Sequence, residues 1–446
     1  VNFVIKNAKV VNEGRQFHSD VLVRNGCIDK IQSEINTPRS FTEYDAEGLL
    51  LMPGMIDDQV HFREPGLTAK GDLATESMAA VAGGITSVME MPNVSPATTN
   101  MSAIAHKLDL ASTKSFCNYA FYLGATESNI DDIKSVDIDR VCGVKVFMGA
   151  STGNLLVENP AALEAIFRES PILIATHCES GPVIERNRLS LQDPLTIFEH
   201  AALRNDEACF VSSSYAVSLA RKYDANLHVL HLTSAKEMPL FDSGPIEHKK
   251  ITAEACVHHL WFDDQDYAQL GNLIKCNPAI KSAQDRKQLL QALRHDVLDI
   301  IATDHAPHLL SEKNQSYPAA PAGIPLVQHA LLMLLDLVKQ GELSIESMVQ
   351  KACHNPAIRF EVKNRGFIRE GYHADLVLLD PATPTHVSNT DTFYKCQWAP
   401  FDGQSFFSSV KSTWVNGIQC YRDGKIVCAQ AAGQAIEFTR SGEHKR

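Results

Sequence analysis

Pro53-Gly54-Met55-Ile56-Asp57-Asp58-Gln59-Val60-His61 is a short apolar run that begins on a proline and a glycine and ends on side chains able to bind metals or move protons. The same pattern recurs along the chain. Apolar runs closing on polar residues lie at Gly54 to His61, Ile85 to Asn93, Phe116 to Tyr122, Val144 to Phe147, Ile172 to His177, Leu227 to His231, Ile251 to Glu254 and Leu298 to Asp304. Helical stretches separate them, the signature of βα units around a parallel sheet. Eight such runs predict an α/β fold, a closed (β/α)8 barrel of the TIM type.

The helices between the runs are also readable. Asn159-Pro160 supplies an N-cap and a proline at the first helical position ahead of Leu163, Ile166 and Phe167. Leu73, Met78 and Val81 form one stripe ended by Gly83-Gly84, and Pro325 to Val338 is apolar on more than one face, which predicts a well-covered helix. Leu309 to Gly323 reads as a long loop after the last strand.

Outside the barrel the period changes to two. Val4-Ile5-Lys6-Asn7, Val21 to Gly26 and Cys27 to Ile31 alternate around turn signals near the start, as do Ala374 to Asp380, Thr413 to Gly417 and Tyr421 to Val427 near the end. The expected division is 1–51 and 365–446 as two parts of one small composite β-sandwich, with 52–364 as the barrel.

Composition narrows the class. The 446 residues carry 41 Lys and Arg against 53 Asp and Glu, a net charge of −12, which excludes a basic nucleic-acid-coating protein. With 44% hydrophobic residues the chain can bury a large core. No run approaches the roughly 20 apolar residues of a membrane span, and residues 1–30 read as charged strands rather than a leader, so no membrane partner is expected. Eleven cysteines without a C-x-x-C pair predict reduced thiols and a cytoplasmic protein.

Metal-type residues fall at the carboxyl ends of the runs, where barrel enzymes assemble their sites from several strands. His61, His177, His231 and Asp304 each close one, and imidazoles with a carboxylate suit zinc or a similar divalent ion. Lys145 interrupts the apolar run Gly143-Val144-Lys145-Val146-Phe147. An inward ammonium beside cations must change charge or turn away, and a neutral amine can take up carbon dioxide to form a carbamate anion.

Several of these stretches together resemble a family, the cyclic amidohydrolases and within them the dihydroorotases. The resemblance runs through Pro53-Gly54-Met55-Ile56-Asp57, Val60-His61-Phe62-Arg63-Glu64-Pro65-Gly66, Glu90-Met91-Pro92-Asn93, Gly143 to Phe147, Thr176-His177-Cys178-Glu179, His228-Val229-Leu230-His231, Asn277-Pro278, Thr303-Asp304-His305-Ala306-Pro307-His308 and Ala374-Asp375-Leu376-Val377. It implies a metal centre of one or two zinc ions bridged by a carbamate on Lys145. His61 and Asp304 would serve one metal, and His177 and His231 the other. The family usually has His-x-His on the first strand, whereas this chain has Gln59-Val60-His61, and an amide oxygen is a poorer zinc ligand than imidazole.

The resemblance further implies that Arg63, Asn93 and His308 clamp a substrate carboxylate, that Asn277 contacts the ring amide and that backbone near Ala322-Gly323 touches substrate. Lys281 stands where the pattern commonly has arginine. The implied chemistry is reversible hydrolysis of a cyclic amide, interconverting dihydroorotate and N-carbamoyl-L-aspartate, with Asp304 as ligand and proton carrier. A hydantoinase or allantoinase acting on another cyclic ureide is the enzyme alternative, and a catalytically silent scaffold is the other. His258-His259, Cys178 and His305 have no assigned role, and a homodimer is the expected assembly.

Overall fold

The computed structural model describes residues 2–149 and 155–440. Strands β1 (Asn2–Asn12), β2 (Arg15–Arg24) and β3 (Cys27–Gln32) form an antiparallel meander, and β4 (Thr42–Asp45) and β5 (Leu50–Pro53) run parallel to β1. The barrel then intervenes with eight strands, β6 (Met55–Val60), β7 (Ile85–Glu90), β8 (Asn118–Gly124), β9 (Val141–Met148), β10 (Ile174–Cys178), β11 (Leu227–Val229), β12 (Ile251–Cys256) and β13 (Ile300–Ala302). The chain returns through β14 (Leu376–Asp380), a two-residue ribbon of β15 (Thr385–His386) and β16 (Ser405–Phe406), and the meander β17 (Ser409–Val415), β18 (Ile418–Arg422) and β19 (Lys425–Ile426).

Both ends of the chain build one nine-stranded sheet in the order β19-β18-β17-β14-β5-β1-β2-β3, with β4 also on β1. Asn25-Gly26, Asn416-Gly417 and Asp423-Gly424 turn three of its hairpins with both residues left-handed, the turn whose twist matches the strands it joins. Its apolar face gathers Phe3, Val21, Ile28, Leu376 and Trp414, and the Phe3 and Trp414 rings stack with centroids 5.7 Å apart. This is the composite β-sandwich that the two alternating termini predict.

In the barrel every strand pairs in parallel with the next in sequence from β6 to β13. All strand residues are buried except half-buried Ile251, because helices cover the outside and side chains fill the inside. The seam is thin: β13 meets β6 through a bridge between Val60 and His305, and the His61 amide donates to the His305 carbonyl at 2.7 Å.

Two expectations need correction. In the helix Leu73–Ala82, capped by Asp72, Met78 is only half-buried while Glu76 and Ser77 face inward. Glu76 accepts a hydrogen bond from His305 Nε2 at 2.8 Å, so a paired carboxylate occupies the inner face. The helix expected from Pro325 begins at Ala330, because the Leu326 amide donates to His305 Nδ1 at 2.9 Å and the preceding backbone is diverted. The residues after the barrel also touch it. Trp398 donates from Nε1 to the His308 carbonyl at 2.7 Å, and Ile436 and Phe438 pack with Ile56, Ala120 and Phe360 of the barrel. By contrast Pro160–Glu169 forms as expected, with Asn159 accepting from two helix amides, a cap worth about 1 kcal/mol.

Candidate active site

Barrel closure brings the first and last strands together, and with them His61 and Asp304. His61 Nδ1 donates to Asn93 Oδ1 at 2.8 Å, so Nε2 carries a lone pair, and it faces Asp304 Oδ1 at 3.1 Å. Burial holds the imidazole below its ordinary pKa, whereas Asp304, which burial alone would raise, is held low by the His61 beside it. With the proton on Nδ1 the two acceptors offer a site for a shared cation, and with it on Nε2 the pair is a hydrogen bond.

Across the barrel mouth the same arrangement repeats. His177 Nε2 donates to Glu179 Oε2 at 3.0 Å, leaving Nδ1 to face His231 Nε2, also at 3.0 Å. Burial keeps both rings neutral. Glu179 is fixed in turn by Arg204, whose Nη1 donates to Oε2 at 2.5 Å. Although burial pushes Glu179 up, Arg204 and His177 bring it down to about 2, so it stays a carboxylate. A carboxylate behind a ligating imidazole sets its tautomer and raises its basicity.

Lys145 on β9 is buried between the two pairs' strands, its Nζ 4.5 Å from the Phe147 ring centroid. Burial pushes its pKa down to about 8, against the pull of Asp304 and Glu254. Gln59 turns its amide nitrogen to Asp304 Oδ1 at 3.1 Å, and its oxygen accepts from the Cys256 thiol at 3.6 Å.

Arg63, His231 and Asp304 adopt φ of 71°, 40° and 48°. Left-handed backbone is costly for such residues and recurs where a strand must break sharply to aim a side chain. Arg63 is buried and donates from Nε to the Pro307 carbonyl at 3.1 Å, with Nη2 3.1 Å from His308 Nε2. Burial lowers it only to about 10, so it remains a cation. His308 is held neutral by burial and by neighbouring Arg63 and Lys70, accepting at Nδ1 from Lys70 Nζ at 3.0 Å.

The loop from Leu309 to Gly323 is anchored rather than free. Lys313 Nζ donates to the carbonyls of Lys275, Pro321 and Gly323 at 3.0, 3.0 and 2.8 Å. Gly323 has φ of 141°, and a Cβ there would come within 2.5 Å of the Ala306 carbonyl oxygen, so no side chain fits where the loop meets the pocket. Asn277 Oδ1 is buried without a partner, at a cost of about 1–3 kcal/mol unless a ligand meets it.

All of Gln59, His61, Arg63, Asn93, Lys145, His177, His231, Asn277, Asp304, His308 and Gly323 line one cavity of about 540 Å³. Sequence reasoning missed Glu179 and Arg204. Glu179 lies two residues after His177, the strand spacing that shares a face, whereas nothing in the sequence joins Arg204 to it.

His305 and Cys178 sit apart from this chemistry. The first spans Glu76 and the Leu326 amide, and the second donates to the Thr176 hydroxyl at 3.3 Å. Below the pocket, His228 lies between Asp58 Oδ2 at 3.3 Å and Glu254 Oε2 at 3.1 Å. Burial would lower it, but these carboxylates lift it to about 9, making an internal imidazolium. Among the described residues, two compact groups of ligand-type side chains have their donor atoms within 4.8 Å of one another, Asp58-His228-Glu254 and His258-His259-Cys276.

A family profile described as "Amidohydrolase family" matches residues 211–427, and one described as "Dihydro-orotase-like" matches 48–125. The chain is 32% identical over 402 residues to the dihydroorotase of Halobacterium salinarum, covering 90% of this chain and 92% of that one. It is 31% identical over 414 residues to the dihydroorotase of Methanosarcina acetivorans, covering 90% and 88%. Among solved structures, the L-hydantoinase (dihydropyrimidinase) of Arthrobacter aurescens superimposes with a TM-score of 0.90 at 25% identity over 98% of this chain and 99% of that one. The dihydropyrimidinase of Brevibacillus agri gives 0.88 at 23% identity over 99% and 100%, a likeness of fold.

Proposed function

We propose that this chain, which belongs to the dihydroorotase family within the amidohydrolases, interconverts dihydroorotate and N-carbamoyl-L-aspartate in pyrimidine synthesis. The observation that carries the substrate reading is Arg63, a buried guanidinium in the same cavity as His61 and Asp304. A ring bearing a carboxylate satisfies that charge, whereas a hydantoin without one would leave it unpaired.

The donor set fits divalent metal. His61 with Asp304, and His177 with His231, would each hold an ion, zinc by the mixture of imidazole and carboxylate, with Lys145 between them as a carbamate. When bound, the metal supplies a Lewis acid for the scissile carbonyl and lowers the pKa of water. Gln59 in this reading is a donor that steadies Asp304 and not a ligand.

Asp304, ionised at neutral pH, takes a proton from the attacking water and returns it to the departing ring nitrogen. In the closing direction it removes a proton from the ureido nitrogen. Arg63 forks onto the substrate carboxylate. Asn93, whose oxygen is spent on His61, offers its Nδ2 to the same group, with His308 beside it. Asn277 meets the ring amide with its unpartnered oxygen, and the backbone at Gly323 closes the pocket over the ring.

Residues 52–364 carry this chemistry, while 1–51 and 365–446 build the sandwich and buttress the barrel. A homodimer in the cytoplasm completes the reading. Twofold pairs are the commonest assembly of enzymes, and eleven unpaired thiols suit a reducing compartment. The test is turnover of dihydroorotate by zinc-replete protein supplied with bicarbonate, alongside hydantoin and allantoin. Dihydroorotate is expected to be the preferred substrate. Opening of hydantoins with dihydroorotate untouched would replace this reading with the hydantoinase one.

A further inference from the structure

We propose that His258, His259 and Cys276 form a separate structural zinc site behind the pocket wall. The two histidines open the short helix Val257–Trp261 that follows β12, and Cys276 comes from the segment that presents Asn277 to the pocket. All three are at most 3% exposed. Both ring nitrogens of His258 are buried without a partner, as is His259 Nδ1. A neutral imidazole carries one N–H and one lone pair, so His258 leaves both unmet where native proteins almost always satisfy them.

The spacing is that of a coordination shell. Cys276 Sγ lies 3.7 Å from His259 Nε2, and the corresponding edge of a tetrahedral zinc centre with ordinary Zn–S and Zn–N bonds is about 3.6 Å. In the metal-free protein His259 Nε2 and the Cys276 thiol both donate to the Pro278 carbonyl oxygen, at 3.1 and 3.3 Å; zinc would take the place of both protons, with the imidazole proton moved to Nδ1, and leave that oxygen within reach as a fourth ligand. Two imidazoles and a thiol select zinc over magnesium or calcium. Binding ionises the thiol, whose proton passes to solvent, and leaves zinc in its single oxidation state. Because Cys276 directly precedes Asn277-Pro278, the ion would tie the helix after β12 to the pocket wall.

No cysteine lines the active-site cavity, so sulfur ligation distinguishes this site from the centre that performs the chemistry. The wild-type protein, with its metal exchanged for cobalt(II), is expected to show a thiolate-to-cobalt charge-transfer band. Cys276→Ser should lose the band and one metal per chain, while Cys256→Ser, at the thiol that donates to Gln59, and Cys178→Ser, next to His177, keep both. A wild type without the band, or a band and metal count unchanged in Cys276→Ser, would overturn the proposal. Should Cys276→Ser fail to fold, crystals of the wild type measured at the zinc edge decide it, by a peak between the three side chains or none. These readouts do not depend on which cyclic amide is hydrolysed.

Discussion

The two halves of the active site are built to different standards. On the β10–β11 side, His177 faces His231 at 3.0 Å and is backed by Glu179, itself clamped by Arg204, so ring orientation and tautomer are set two layers deep. On the β6–β13 side, His61 faces Asp304 at 3.1 Å across the thinnest seam of the barrel, and Asn93, an amide rather than a carboxylate, stands behind the imidazole. Gln59 adds a hydrogen bond there where a ligand would add a bond to metal. In the proposed reading one half only holds an ion, with its imidazole fixed by a carboxylate and an arginine, whereas the other combines holding an ion with proton transfer at Asp304.

The largest expected effect tests the β6–β13 half. Asp304→Asn removes the proton carrier and should lower kcat for dihydroorotate by roughly a thousandfold, measured as initial rates at saturating substrate. A loss below tenfold would assign the proton transfer elsewhere. Next, Glu179→Gln should weaken metal binding by about 10- to 100-fold in a competition with a chelator, whereas Gln59→Ala, in the same assay, should change it by less than about threefold. Equal losses would erase the contrast between the halves.

A pH-dependent effect concerns Lys145, which sits between them. Its pKa of about 8 in the metal-free protein means that the amine able to add carbon dioxide is the minority form at neutral pH. Reactivation of apoprotein by zinc and bicarbonate should therefore accelerate about tenfold per pH unit up to about 8, at fixed dissolved carbon dioxide, and then level off. A pH-independent rate would remove the lysine from the assembly step.

Much of this was legible beforehand. His61, His177, His231 and Asp304 could be picked out because a barrel concentrates chemistry at strand ends, and the strands are recognisable as short apolar runs. Glu76 was not, since an inward carboxylate paired with His305 interrupts an apolar stripe that periodicity expects to be continuous. The displaced start of the helix at Ala330 has the same origin, an amide captured by His305. Trp398 under His308 and Arg204 behind Glu179 join positions 90 and 25 residues apart, and no local pattern encodes such choices.

By itself the sequence determined the eight-stranded barrel, the sheet assembled from both termini and the residues at the barrel mouth, because hydrophobic period and turn chemistry act over a few residues. Only the tertiary structure decided which nitrogen of each histidine is spent on a neighbour and which faces the cavity, that Gln59 serves as a donor, and that His258, His259 and Cys276 converge. Those outcomes depend on hydrogen bonds between distant strands, whose distances and directions exist only once the barrel has closed.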